Sequence, residues 1–205
     1  GPGATNAAAG VHIAMQDSTP MVLFVGQIER GARGREAFQE VDYRAAFGPL
    51  AKWATEVDDA RRLPEIVARA FSVACSGRPG PVVVALPEDM LTEAATVADA
   101  LPYLVTETHP GPVQMAELAQ RLQAAERPVA ILGGSRWSAR AVQEFAAFAQ
   151  AWSLPVICSF RRQMLFTANH ACYGGDLGLG VNPQLLARIK ASDLVLVVGG
   201  RLSEI

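Results

Sequence analysis

Apolar runs alternate with amphipathic stretches along the whole chain. The runs Met21–Val25, Val82–Leu86, Val129–Leu132 and Leu194–Val198 end at Gly26, Pro87, Gly133-Gly134 and Gly199-Gly200 respectively. Each is short, rich in β-branched residues and apolar at both alternating positions. This predicts strands buried on both faces of a parallel sheet covered by helices. Pro155-Val156-Ile157-Cys158 predicts a fifth strand. Between the runs the apolar spacing changes to three and four. Leu63, Ile66, Val67, Ala70, Phe71 and Ala74 share one helical face, with Asp59 to cap its start, Pro64 in its first turn and Gly77 to end it. Met115, Leu118, Ala119 and Leu122 make a second face. Val142, Phe145, Ala146 and Ala149 make a third behind a Ser138 cap, and Leu185, Leu186 and Ile189 a fourth opened by Asn182-Pro183. Strand and helix in regular succession give an α/β fold with right-handed crossovers.

The stretch from Thr106 to Pro112 has the proline, glycine and polar make-up of a linker. The expected organisation is therefore a first unit over 1–95, a linker over 96–112 and a second unit over 113–205. Each unit is built on its own parallel sheet, and no internal repeat is present. Half of the 205 residues are hydrophobic and 19% are charged, which suffices for a core and excludes disorder. No apolar run reaches the ~18 residues of a membrane span, and no signal peptide is present. A net charge of -2 gives no electrostatic footprint for nucleic acid. Arg30, Arg33 and Arg35 are flanked by Glu29 and Glu36 and read as a solvated loop. The expectation is a soluble, cytoplasmic protein.

Cys75, Cys158 and Cys172 are odd in number and widely spaced, which excludes a disulfide framework and a zinc site. His170-Ala171-Cys172 has no second pair to complete a metal site, and His12 and His109 stand alone, so no metal ligand is assigned. Gly1-Pro2-Gly3 runs into the helix-forming Ala4–Ala9, and free backbone donors at such a start favour a polar or anionic group. A bound phosphate and a plain turn are both open readings there. Gly133-Gly134-Ser135 stands between a strand and a helix, the context of a phosphate loop, without the full glycine fingerprint; a tight turn is its alternative. With Gly199-Gly200 at another strand end, one function class is a non-catalytic module for an FAD- or ADP-type nucleotide. Residue type and spacing alone assign nothing to Gln39 or Lys52, and Asp58-Asp59 and Glu88-Asp89 read as caps.

Five blocks taken together go further. Gly1-Pro2-Gly3-Ala4-Thr5-Asn6, Asp17-Ser18-Thr19-Pro20-Met21-Val22, Gly26-Gln27, Ala37-Phe38-Gln39-Glu40 and Gly77-Arg78-Pro79-Gly80-Pro81-Val82 occur in this order. The set resembles the thiamine-diphosphate enzymes of the acetolactate synthase type. The resemblance implies that residues to about Glu93 are the later part of the domain holding the cofactor's pyrimidine ring. Residues from about Val113 are then the first part of a Rossmann-like central domain. It implies a 2-oxo acid decarboxylase or carboligase, a lyase or transferase, in which a thiazolium carbon attacks the substrate carbonyl and carbon dioxide leaves. Pro2 and Asn6 would line the pyrimidine pocket, and Phe38 and Gln39 would face the reacting carbon. The Gln39 amide would hydrogen-bond the substrate oxygen, a contribution of ~3 kcal/mol. Lys52 would sit near the substrate entrance and favour a carboxylate.

The match opens within a motif, so the resemblance also implies a piece of a longer enzyme. The glutamate that protonates the pyrimidine would lie upstream. The Gly-Asp-Gly…Asn motif for diphosphate and Mg²⁺ would lie downstream; Gly175-Asp176-Leu177 with Asn182 lacks its second glycine and its spacing. The expectation is thiamine diphosphate with Mg²⁺ as cofactor, no turnover by this chain alone, and a homodimer or homotetramer with the active site between subunits. FAD on the central domain is left as an alternative. Against it, Gly48 stands where flavin-binding members carry arginine, and Ser159–Gln163 differs from their flavin-contacting sequence. Glu29 replaces a proline common in acetolactate synthases, which leaves the 2-oxo acid unassigned.

Overall fold

The computed structural model describes residues 1–202, and the chain divides into two units, Gly1–Glu107 and Thr108–Ile205. In the first, α1 (Pro2–Asn6) and α2 (Ala8–Gln16) lead into β1 (Met21–Gln27). Then α3 (Tyr43–Phe47) precedes β2 (Trp53–Glu56), and α4 (Leu63–Cys75) precedes β3 (Pro81–Pro87). The strands are parallel in the order β1-β3-β2, with Met21 opposite Pro81 and Trp53 opposite Val82. β3 is central, so Val82, Val83, Val84 and Ala85 are fully buried, as an uninterrupted apolar run requires. Val83 and Ala85 pack with Val11, Val25, Tyr43 and Phe47 on one face. Val82 and Val84 pack with Val57, Ile66, Ala70, Ala74 and Met90 on the other.

Asp59 caps one turn earlier than its spacing suggests. Its carboxylate accepts from Arg61 N at 2.9 Å and opens a 3₁₀ turn, Ala60–Arg62, that runs straight into α4. Two helices of this unit end on basic side chains. Arg78 Nε donates to Ser18 Oγ at 2.9 Å while its Nη2 reaches the Met15 and Gln16 carbonyls at the end of α2. Lys52 Nζ donates to the Val73 and Ser76 carbonyls at the end of α4. Unpaired carbonyls and the negative end of the helix dipole favour a cation at both places.

Between Thr92 and Pro112 there is neither helix nor strand. The second unit follows with α5 (Pro112–Ala124), β4 (Pro128–Leu132), α6 (Ala139–Trp152), β5 (Val156–Cys158), β6 (Tyr173–Asp176), α7 (Pro183–Lys190) and β7 (Leu194–Val198). Its parallel sheet has the order β6-β5-β4-β7. The chain steps outward through β5 and β6, then returns to the far side of β4, which makes the β4/β7 boundary a topological switch point. Ser138 accepts from Ala141 N at 3.0 Å and Asn182 from Gln184 N at 2.9 Å, the caps read from the sequence. One core contains Ala130, Leu132, Ala149, Leu154, Val156 and Cys158; the opposite face holds Val129, Ile131, Ile157 and Leu185. Burial pushes the Cys158 thiol up to about 11, so it is an inert core residue. Among the described residues no helix is long and apolar enough to cross a membrane.

Asp193 joins two turns of this unit. Its carboxylate accepts from Glu126 N at 2.7 Å and Arg127 N at 2.9 Å, and these backbone donors hold its pKa below the usual carboxylate value. A depressed folded pKa contributes stability that is present above the unfolded value, ~3.9, and is lost as pH falls through the folded one. Asp193→Asn is therefore expected to lower the urea midpoint at neutral pH and to flatten its fall on the acid side. Urea titrations at neutral and acid pH test this, and an unchanged acid limb would refute it.

Candidate functional site

Ligands of open parallel sheets gather at the carboxyl ends of the strands. At that end of β1 stands Gln27, the one buried polar side chain among the described residues. Its Oε1 accepts from Ile28 N at 3.0 Å, and its Nε2 donates to Val41 O at 2.8 Å and to Glu56 Oε2 at 3.4 Å. One amide thus holds both ends of the 28–41 loop. Gly26-Gln27 stood out in the sequence, but nothing there showed that Gln27 faces inward.

Ion pairs fasten the same loop from outside. Arg30 Nε meets Asp89 Oδ2 at 2.7 Å, its Nη1 meets Asp58 O at 2.6 Å, and its Nη2 pairs with Glu93. Arg33 Nη2 lies 2.8 Å from Glu56 Oε1 and 2.5 Å from Asp58 Oδ1. The reading of Arg30 and Arg33 as solvated is corrected: their partners lie at or beyond the ends of β2 and β3, too distant in sequence for the flanking residues to reveal. Gly34 N donates to Glu40 Oε1 at 2.7 Å and folds the loop tip back on itself.

Within this frame Gln39 adopts a left-handed backbone, φ 68°, which costs a residue with a β-carbon ~1 kcal/mol or more. Its backbone lies against Gly1: a β-carbon built on Gly1 would be 2.8 Å from Gln39 Cβ and 3.1 Å from Gln39 O. Only glycine admits that approach. Tyr43, 1% exposed, places its hydroxyl between the two segments, accepting from Gly1 N at 2.9 Å and donating to Gly26 O at 3.1 Å. The structure therefore brings the Gly1-Pro2 turn, Gln39 and the end of β1 to one corner.

Pro2, Asn6 and Gln39 are exposed, and Phe38 is 89% exposed. Neither the Asn6 nor the Gln39 side chain has a hydrogen-bond partner among the described residues. The phosphate reading is less well served: no lysine or arginine occurs in Gly1–Ala9.

Lys52 is not brought to this corner. Its backbone N donates to Pro81 O at 2.8 Å, so it lies level with the start of β3, whereas Tyr43 reaches Gly26, opposite Leu86. Five residues of strand separate the two levels, ~16 Å at ~3.3 Å each. Within this chain the Lys52 ammonium is occupied in capping α4. Burial lowers its pKa.

At the switch point of the second unit the two Gly-Gly turns pack on each other. A β-carbon on Gly134 would lie 2.1 Å from Gly199 O, and one on Gly133 2.7 Å from Gly200 Cα. Gly134 and Gly199 have φ of 77° and 70°, and Trp137 Nε1 donates to Gly133 O at 2.7 Å. Backbone packing accounts for all four glycines as turns. Asp176 accepts from Gln163 Nε2 at 3.2 Å and Asn182 caps α7, so that superficial motif is structural. Among the described residues no group of three or more His, Cys, Asp or Glu could hold a metal ion.

Two family models match the chain. One, "Thiamine pyrophosphate enzyme, N-terminal TPP binding domain", covers residues 1–46, and the other, "Thiamine pyrophosphate enzyme, central domain", covers 115–205. The acetolactate synthase isozyme 3 large subunit of Escherichia coli (strain K12) is 35% identical over 216 residues, covering 100% of this chain and 37% of its own length. The acetolactate synthase large subunit of Parasynechococcus marenigrum (strain WH8102) is 35% identical over 210 residues, covering 100% of this chain and 34% of its own. Isozyme 2 of the same Escherichia coli strain is 32% identical over 204 residues, with 100% and 37% covered. The chain spans about a third of the length of these relatives.

Proposed function

We propose, on the premise that the chain belongs to the thiamine pyrophosphate enzymes, that Pro2, Asn6, Phe38 and Gln39 form one wall of the site in an acetolactate synthase-like 2-oxo acid decarboxylase or carboligase. The observation that carries this is the left-handed Gln39 locked against Gly1 and its turn. When bound, thiamine diphosphate supplies a carbon nucleophile for the 2-oxo acid and a sink for the electrons left as carbon dioxide departs. The chain's residues orient and shield. The Asn6 amide meets a polar ring edge, Pro2 packs on the ring face and Phe38 keeps water from the reacting carbonyl. Gln39 Nε2 holds its own protons and donates one toward the substrate oxygen as negative charge gathers there.

No diphosphate or Mg²⁺ ligand is assigned in this chain. The facing wall comes from polypeptide outside the chain, which fits a cytoplasmic homodimer or homotetramer whose 205-residue piece alone does not turn over. Calorimetric titration of thiamine diphosphate into the protein at its natural length tests the reading. Asn6→Ala should weaken the cofactor ~10-fold, the loss of one buried hydrogen bond, and Gln39→Ala should change that affinity less than about 2-fold. Parental affinity in Asn6→Ala would overturn the placement. Tight FAD or ADP binding without thiamine diphosphate binding would favour a nucleotide module instead.

A further inference from the structure

Outside the wall itself, the group that joins its parts is a phenol. Tyr43 is 42 residues from Gly1 in sequence, almost fully buried, and hydrogen-bonded on both sides. It opens α3, whose start is fixed by Asp42 accepting from Ala45 N at 2.9 Å, and its ring lies on Phe47 at 6.1 Å. The hydroxyl therefore sits on a rigid base. Four residues before it, Gln39 holds a strained backbone that only a surrounding frame can maintain. Gln27 grips that segment at Val41 O, and Tyr43 grips it at Gly1 N and Gly26 O.

We infer that Tyr43 is a positioning residue for the reaction, its hydroxyl fixing the Gly1 turn against Gln39 and so aiming the Gln39 amide. This rests on the reading of Gln39 given above. Burial, and after it the Glu56 carboxylate, push the Tyr43 phenol up, so it stays protonated and able to donate. Removing its oxygen leaves the ring packing intact but frees Gly26 O and the Gly1 turn together, and a small shift of a positioned group is enough to lower turnover.

The test uses the natural-length protein with thiamine diphosphate and pyruvate as probes. Tyr43→Phe should lower kcat ~10-fold with KM changed less than about 2-fold, and should alter the near-ultraviolet circular dichroism of the bound cofactor. In a Gln39→Ala background it should lower kcat no further, because it acts through that amide. Gly1→Ala, whose methyl would meet Gln39 Cβ, gives the same test without touching the core, and it decides the matter if Tyr43→Phe does not fold. Parental kcat in the folded variants, or losses that multiply with that of Gln39→Ala, would overturn the inference. Should Gln39→Ala itself keep parental kcat, the functional reading falls and this inference with it. Should Gln39→Ala be impaired while Tyr43→Phe and Gly1→Ala are parental, this inference alone falls.

Discussion

Replacing Gln39 with glycine is expected to stabilise the protein and to disable it at once. The position sits at φ 68°, where a side chain is a liability and glycine is not. Relief of that strain exceeds the extra freedom glycine gives the unfolded chain, for a net gain of about 0.5 kcal/mol. The same change deletes the amide proposed to donate to the substrate oxygen, and kcat for pyruvate should fall ~100-fold, the cost of one donor at a developing oxyanion. Gln39→Ala is the control, since it keeps a β-carbon in the strained region; it should lose similar activity without gaining stability. Urea midpoints and steady-state kinetics on both variants make the comparison. A glycine variant that is less stable, or that keeps full kcat, would show that the left-handed backbone serves some purpose other than aiming that side chain.

How legible this arrangement was depended on which residues had local partners. β3 and β4 could be read because they are buried on both faces and carry unbroken apolar runs. β2 could not: Trp53-Ala54-Thr55-Glu56 lies at a sheet edge, and its last side chain is spent on an ion pair instead of the core. β6 carries Gly174 and Gly175, which look like a turn until β5 is seen beside them. Caps such as Ser138 and Asn182 act within three residues and were read directly.

The candidate site divides in the same way. Gln39 and Asn6 were singled out by motif, and the structure brings the Gln39 backbone to the Gly1 turn. Tyr43 carried no signal, because its role needs a backbone nitrogen 42 residues away and a carbonyl 17 away. Lys52 is a flexible cation beside an aromatic residue, which gives no hint of which end of a strand it serves. Its cap on α4 depends on carbonyls 21 and 24 residues later.

The Arg33–Glu56 pair should show the second large effect, and an asymmetric one. Glu56 is 10% exposed, and without Arg33 its closest remaining partner is Gln27 Nε2 at 3.4 Å. Arg33 is 30% exposed and keeps Asp58 at 2.5 Å if Glu56 is removed. Arg33→Leu should therefore cost about 2–3 kcal/mol, somewhat below the usual range for orphaning a buried charge because solvent reaches part of the site, and Glu56→Leu about 1 kcal/mol. The pair itself is poorly aligned: Glu56 Oε1 lies 2.8 Å from Arg33 Nη2 yet accepts no hydrogen bond, and Arg33 Nε is buried without a partner. A charge pair in that condition offsets little of its own desolvation. The double variant Arg33→Leu/Glu56→Leu should thus return to within about 1 kcal/mol of the parent, because two apolar side chains suit the pocket as well as two imperfectly satisfied ions. Gln27 retains Val41 O in that variant, so the loop bearing Gln39 stays anchored and kcat should recover along with stability. Urea denaturation of the two single variants and the double measures the coupling directly, and strictly additive losses would show that the pair is a net stabiliser of the loop and not a tolerated charge.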